Sequence, residues 1–250
     1  MEVRKYGWKK QAPDARDLIY IPPANLKLAS HVDLRGICPP VYNQGQLGSC
    51  TSNAIGGLIE FISMKLHFAF MPSRLFIYYN ERVLEGTVSV DSGATLRDGM
   101  RAVHNQGAPK ESFWPYNITQ FAVTPPTIAY TNGLKHLFPA YQAVTQNALH
   151  IQSSLFAGNP VVFGFNIYSS FESQTVANTG IVPMPQPHDQ FLGGHAGLIV
   201  GYDTTAQHYI VRNSWGVNWG MEGYYYIPFA YIHSTTLSSD FWTATTVTNT

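Results

Sequence analysis

Gln44-Gly45-Gln46-Leu47-Gly48-Ser49-Cys50 is a glycine-spaced loop that runs into a helix and carries a cysteine at the joint. Beyond Cys50 the apolar residues Ile55, Leu58, Ile59, Ile62 and Leu66 recur at three- and four-residue steps. That period predicts an amphipathic helix over about 50–66. A helix N-terminus carries unpaired N–H groups and partial positive charge. A thiol placed there is drawn toward thiolate, the form that attacks carbonyl carbon. A small buried cysteine is the alternative reading, since free Cys is among the most buried residue types. The rest of the chain bears on which holds.

The chain has 250 residues, enough for one large domain or two lobes around a cleft. Basic and acidic side chains balance, and only 12% of residues are charged, about half the usual share. With no basic block, nucleic acid is not an expected partner. No apolar run approaches the roughly 18–20 residues of a membrane helix, so no membrane is expected either. The opening MEVRKYGWKKQAPDARD lacks the apolar core of a secretory leader. Cys38 and Cys50 are the only cysteines, which excludes a disulfide framework. These features suit the cytoplasm or another reducing compartment, or release without a cleaved leader. A monomer is expected.

Residues 1–31 are rich in Pro, Asp, Arg and Lys and read as an extended arm over the body, with Trp8, Tyr20 and Ile21 needing cover. Cys38-Pro39-Pro40 stiffens the approach to the glutamine loop and excludes a helix there. Gly56 and Gly57 cost the following helix roughly 1 kcal/mol each relative to Ala, which suggests close packing of another backbone. Ser73 reads as the cap of a helix to about Leu84, and Thr95 with Asp98 as the start of one ending near Gly107. The proline-punctuated stretch 108–140 reads mostly as loop, followed by a helix over 146–157. Strands are predicted at 161–167, 195–202, 209–213 and 223–227 from their β-branched and aromatic content. Helices first and strands second give an α+β chain in two segregated lobes, roughly 45–140 and 141–250.

A cysteine nucleophile needs a base, a group to orient that base, and donors for the oxyanion. Gly193-Gly194-His195-Ala196-Gly197 offers an imidazole at the start of an apolar strand, its glycines keeping side chains away from the ring. In Asn213-Ser214-Trp215-Gly216-Val217-Asn218-Trp219-Gly220 the Asn213 amide oxygen could take the second imidazole N–H and fix the ring's tautomer. A core histidine and a glycine-rich turn with packed indoles are the structural alternatives.

These blocks resemble the papain-like cysteine peptidases, in the family's order of Cys, His and Asn. The gap from Cys50 to His195 is 145 residues, inside the about 130–150 of that family. The resemblance implies a two-lobed papain-like fold, with a helical lobe, a barrel-like antiparallel β lobe and the cleft between them. It implies peptide or protein substrates, cleaved through an acyl-enzyme, with endopeptidase action foremost and with no cofactor or metal. Cys50 matches the nucleophile, His195 the general base and acid, Asn213 the orienting residue, and Gln44 the oxyanion-hole glutamine. Trp215 would shield the Asn–His contact and Trp219 would flank the leaving group. Ser92 and Gly93 resemble the glycine pair that hydrogen-bonds an extended substrate, and Gly48 joins them in the substrate-binding set.

The sequence departs from the family's C-G-[SA]-C-[WY] pattern. Leu47 stands for a normally bridged cysteine, and Thr51 for the aromatic residue beside the nucleophile. The arm is far shorter than the family's helical pro-segment, so residues 1–31 read as a minimal pro-segment or cleft cover ahead of a catalytic domain over 32–250. A non-catalytic relative, or an acyl-transfer or deconjugating enzyme, are the rival readings.

Overall fold

Local signals set the helices of the first half. The computed structural model describes residues 4–250. Helix α1 spans Cys50–Lys65. Ser49 stands at its N-cap without capping it: the hydroxyl bonds Tyr116 Oη and receives Asn53 Nδ2 instead. The first-turn N–H groups of α1 therefore stay free of a side-chain cap. Helix α2 (Arg74–Glu85) is capped by the Ser73 hydroxyl, which accepts from Phe76 N–H, and Gly86 closes it in the left-handed region at φ 69°. Helix α3 (Leu96–Gln106) begins where the Thr95 hydroxyl accepts from Asp98 N–H and donates to the Asp98 carboxylate.

The stretch expected to be mostly loop contains a further helix, α4 (Thr127–Gly133), with Pro126 at its N-cap. The proline that ends one segment also presets the backbone for the next helix start, which a count of prolines as breakers overlooks. Helix α5 covers Ala148–Phe156, and the short α6 (Gln174–Thr179) and α7 (Phe229–His233) lie within the β half.

Seven strands form one sheet in which every pairing is antiparallel. They are β1 (His31–Asp33), β2 (Gln142–Ala143), β3 (Val161–Tyr168), β4 (Phe191–Asp203), β5 (His208–Arg212), β6 (Tyr224–Pro228) and β7 (Ser238–Thr243). The order is β2-β7-β3-β4-β5-β6, with β1 added on β4. β4 thus takes three partners and begins four residues earlier than expected, so His195 lies within the strand opposite Phe165 of β3.

Helix α1 is buried almost all round, because α2 and α3 cover one side and β4 the other. Leu58, Ile62, Leu198, Val200 and Ile210 share that core. A second, aromatic core fills the β lobe around Phe163, Phe165, Phe171 and Tyr225. Gly56 and Gly57 correct the sequence reading: the groups nearest to them are side chains. A Cβ on Gly57 would meet the Arg212 guanidinium at 2.9 Å, and one on Gly56 the Arg74 stem at 3.0 Å. Both guanidinium groups lie over the Tyr42 ring, at 4.3 and 4.4 Å, so the glycines make room for two buried arginines.

Phe165 is fully buried and touches the rings of Phe163, Phe171, His195, Tyr225 and Tyr231. Phe165→Ala should cost about 3–5 kcal/mol, read as a lower denaturation midpoint with an unchanged slope in urea.

Candidate active site

His195 comes from β4 and Asn213 from the residue after β5. Both are buried, and His195 Nε2 lies 2.9 Å from Asn213 Oδ1. That oxygen also accepts the backbone N–H of Ser214 at 2.9 Å. A backbone N–H can only donate, so the amide is fixed with its oxygen toward the ring. Nε2 must then be the protonated nitrogen, and Nδ1 of the neutral ring is left with its lone pair. Nδ1 has no partner. Trp215 packs on the imidazole with ring centroids 4.8 Å apart, and Trp219 meets Trp215 edge-on at 4.9 Å.

Gln44 is fixed by acceptors: its Nε2 meets the Leu47 carbonyl at 2.9 Å and the Lys5 carbonyl at 3.2 Å, which can only accept, so Oε1 faces the Ser214 hydroxyl, which donates to it at 2.6 Å. Gln44 N–H also donates to the Ser214 carbonyl. The glutamine loop of the helical lobe and the Asn213–Ser214 turn of the β lobe are thereby joined directly.

Cys50 opens α1 and is fully buried. Backbone N–H groups of Gly7, Ala196 and Thr51 reach its sulfur. Ala196 follows His195 in β4, so the sulfur lies beside the strand that carries the imidazole. The expectation that a helix-start thiol is drawn toward thiolate does not hold in this state. Burial pushes the Cys50 thiol up to about 12, against the pull of the three N–H groups, and Glu81 adds to the rise. Burial likewise pushes His195 down to about 4; the Asn213 bond opposes this and the Arg4 charge adds to it. Thiol and imidazole are therefore both neutral across the ordinary pH range.

The arm causes that burial. Gly7 C=O accepts from Ala94 N–H at 2.7 Å, Lys9 N–H donates to Ala94 C=O at 3.0 Å, and Trp8 N–H donates to Gly194 C=O at 3.0 Å. The first two bonds form a parallel bridge between Trp8 and Ala94. The arm also approaches Gly48, whose N–H is held by Asp91 at 3.0 Å. Gly93 lies against Gly7, but the residue that bonds the arm is Ala94, one position on from the expected pair. The Ser92 hydroxyl turns away, to Thr87 and the Gly93 carbonyl.

Sequence reasoning also misjudged the glycines before His195. They admit the arm, and the ring is not what they make room for: a Cβ on Gly193 would strike Tyr6, and one on Gly194 would strike Trp8. It missed Ser214 as well, which holds both amides. The signal was its place inside the Asn-Ser-Trp-Gly run, between two groups already singled out. Cys38 lies outside this site, its Sγ 3.5 Å from the Leu34 carbonyl, and burial raises it to about 11.

The sequence profile of the papain family cysteine proteases matches residues 28–241. An uncharacterised peptidase C1-like protein of Acanthamoeba polyphaga mimivirus is 39% identical over 274 aligned positions, covering 98% of this chain and 88% of the viral protein. Xylellain, a cysteine protease from Xylella fastidiosa, is 38% identical and superposes with a TM-score of 0.92 over 98% of each chain. Digestive procathepsin L 3 of the Tenebrio molitor larval midgut superposes at 0.72 with 20% identity, over 92% of this chain and 74% of that one, a likeness of fold alone. The two-lobed α+β fold is papain-like, and the chain belongs to the papain family of cysteine proteases, hydrolases of peptide bonds.

Proposed function

We propose that this chain cleaves peptide bonds with Cys50 as nucleophile, His195 as general base and acid, and Asn213 as the residue that orients the imidazole. The observation that carries this reading is the bare Nδ1 of His195, left by the Nε2–Asn213 bond on a ring next to the residue whose N–H reaches the Cys50 sulfur. Nδ1 takes the thiol proton, and the thiolate attacks the substrate carbonyl. The carbonyl oxygen gains charge and is held by Gln44 Nε2 and the Cys50 N–H, which no side chain caps. His195 then protonates the leaving amine, and water hydrolyses the thioester with His195 again as base. Trp215 keeps water from the Asn213–His195 bond, and Trp219 borders the leaving-group side. Support for Gln44 comes from its present partner: its Nε2 already holds a peptide carbonyl, that of Lys5.

The arm is read as a built-in inhibitor. It offers Cys50 the N–H of Gly7, which the sulfur cannot attack, and its parallel bridge to Ala94 keeps that presentation fixed. Residues 1–31 are then a short pro-segment, and the covered chain is latent.

In a chain beginning near Ser30, Cys50→Ala should abolish hydrolysis of a fluorogenic peptide. Gln44→Ala should lower kcat by about 10²–10³, or about 2.7–4 kcal/mol, with little change in KM. A rise in KM with kcat unchanged would remove Gln44 from the oxyanion site.

Alkylation of Cys50 by iodoacetamide reads the arm directly. In the full-length chain at pH 7 it should be slow, rising about tenfold per pH unit as the thiol approaches its raised value near 12. A chain beginning near Ser30 should react quickly at neutral pH, because the solvated thiol and imidazole can exchange their proton. Equal rates for the two chains would remove the latent reading.

A further inference from the structure

The glutamine loop is held at both ends from behind, by groups that the catalytic steps do not use. Tyr116, from the proline-punctuated stretch after α3, places its Oη 3.0 Å from the Gln44 carbonyl and 2.5 Å from the Ser49 hydroxyl. Gln44 opens the loop and Ser49 closes it, one residue before Cys50. Gln44 Nε2 and the Cys50 N–H, the two donors assigned to the oxyanion, therefore stand at the two ends that one phenol joins. Gly45 and Gly48 lie between them, and Gly45 sits in the left-handed region at φ 59°. Two glycines in so short a loop leave its ends free to drift unless something holds them.

Donor and acceptor rules fix the direction of every bond in this cluster. Arg74 opens α2, is buried, and lies between the Tyr42 and Tyr116 rings at 4.4 and 4.2 Å. A guanidinium only donates, so its Nη1, 3.2 Å from Asn53 Oδ1, fixes which way that amide faces. Asn53 Nδ2 then donates to the Ser49 hydroxyl at 3.1 Å and to the Ser49 carbonyl at 2.9 Å. A carbonyl only accepts, so the single hydroxyl proton of Tyr116 goes to Gln44, and Ser49 supplies its own proton to the Tyr116 oxygen. Every bond thus points one way, from Arg74 through Asn53, Ser49 and Tyr116 to the Gln44 carbonyl. Aligned bonds that start on a buried cation polarise one another. Glu111 ties the start of the chain to its end: its Oε1 accepts Arg74 Nη2 at 3.3 Å and the Tyr116 N–H at 2.8 Å.

We propose that Tyr116 is a positioning residue of the oxyanion hole, joining the Gln44 carbonyl to Ser49 and so setting the separation of the two oxyanion donors. The inference rests on the protease reading above. The β lobe holds Gln44 at its N–H, through the Ser214 carbonyl, and Tyr116 holds it at its C=O from the helical side. Without the phenol hydroxyl that second anchor is lost, and Gln44 Nε2 moves relative to the Cys50 N–H. Small shifts matter there, since oxyanion donors work within about 2.7–3.1 Å of the charge. The thiol and imidazole lie outside the cluster, so their proton exchange is left alone.

The test uses the full-length chain with Gly7→Leu. A Cβ on Gly7 would stand 1.7 Å from the Gly48 carbonyl oxygen, so a leucine there lifts the arm from Cys50. In that chain Tyr116→Phe removes one oxygen and keeps the ring. For a fluorogenic peptide, kcat should fall about tenfold with KM unchanged, the mark of an interaction realised in the transition state. Iodoacetamide alkylation of Cys50 forms no oxyanion, so its rate should stay the same. In a Gln44→Ala background the further loss from Tyr116→Phe should shrink to about twofold or less, because the group it positions is gone. A merely structural role would lower both rates and add in full to Gln44→Ala. Unchanged kcat, a parallel fall in alkylation, or full additivity overturns the proposal. If Tyr116→Phe does not fold, Ser49→Ala decides, since Ser49 makes no side-chain cap that would be lost. There kcat should fall about threefold with alkylation unchanged, and an unchanged kcat overturns the proposal. Failure of the protease reading shows differently, as a Gly7→Leu chain whose Cys50 is alkylated quickly but which cleaves no peptide.

Discussion

Ser214 holds two amides at once. Its N–H turns the Asn213 oxygen toward His195, and its hydroxyl donates to the Gln44 Oε1 while Nε2 faces the cleft. Its carbonyl holds the Gln44 backbone as well. Each bond crosses or borders the line between the lobes, and each is buried, where an unmade hydrogen bond is costly. Gln44 and Asn213 come from opposite halves of the sequence, yet both amides are held by one small residue. The tautomer of His195 follows from the aim of Asn213, and the proton path follows from the tautomer.

Electrostatics in the covered state run opposite to what a reactive pair needs. A helix start favours an anion, but that preference is worth at most a few kcal/mol and acts on an exposed thiol. Sealed from water, the same thiol and its imidazole lose far more solvation than the helix returns, and both stay neutral. On the proposed reading, uncovering the pair returns water to it, and with water the proton exchange that the sealed state lacks.

Much of the architecture was legible in the sequence because local and long-range signals agreed. Ser73, Thr95 and Gly86 mark helix ends by side-chain and backbone chemistry that acts within four residues, and the observed helices follow them. The strands at 161–168 and 208–212 announce themselves by β-branched and aromatic runs. What stayed hidden depends on contacts distant in sequence. The pair β2 and β7 is short and finds its partners only in the folded sheet. Gly56 and Gly57 declare that something approaches closely, but whether it is backbone or an arginine is settled from α2 and β5. The glycines at 193 and 194 likewise gave a correct sense of crowding and the wrong neighbour, since the arm lies nearly two hundred residues away. The Cys, His and Asn positions stood out because their residue types are hard to account for otherwise. The covering of Cys50 did not, because no period or motif encodes an extended segment lying in a groove.

The arm grips both walls of the groove it fills. Ala94, Asp91 and Glu85 belong to the helical side; Gly194, Glu172 and Asp240 belong to the sheet side. One extended strip of chain therefore acts as a suture between the lobes. If the arm is the inhibitor proposed above, latency and mechanical cohesion share one set of bonds, and an enzyme freed of it would gain its activity together with a looser seam.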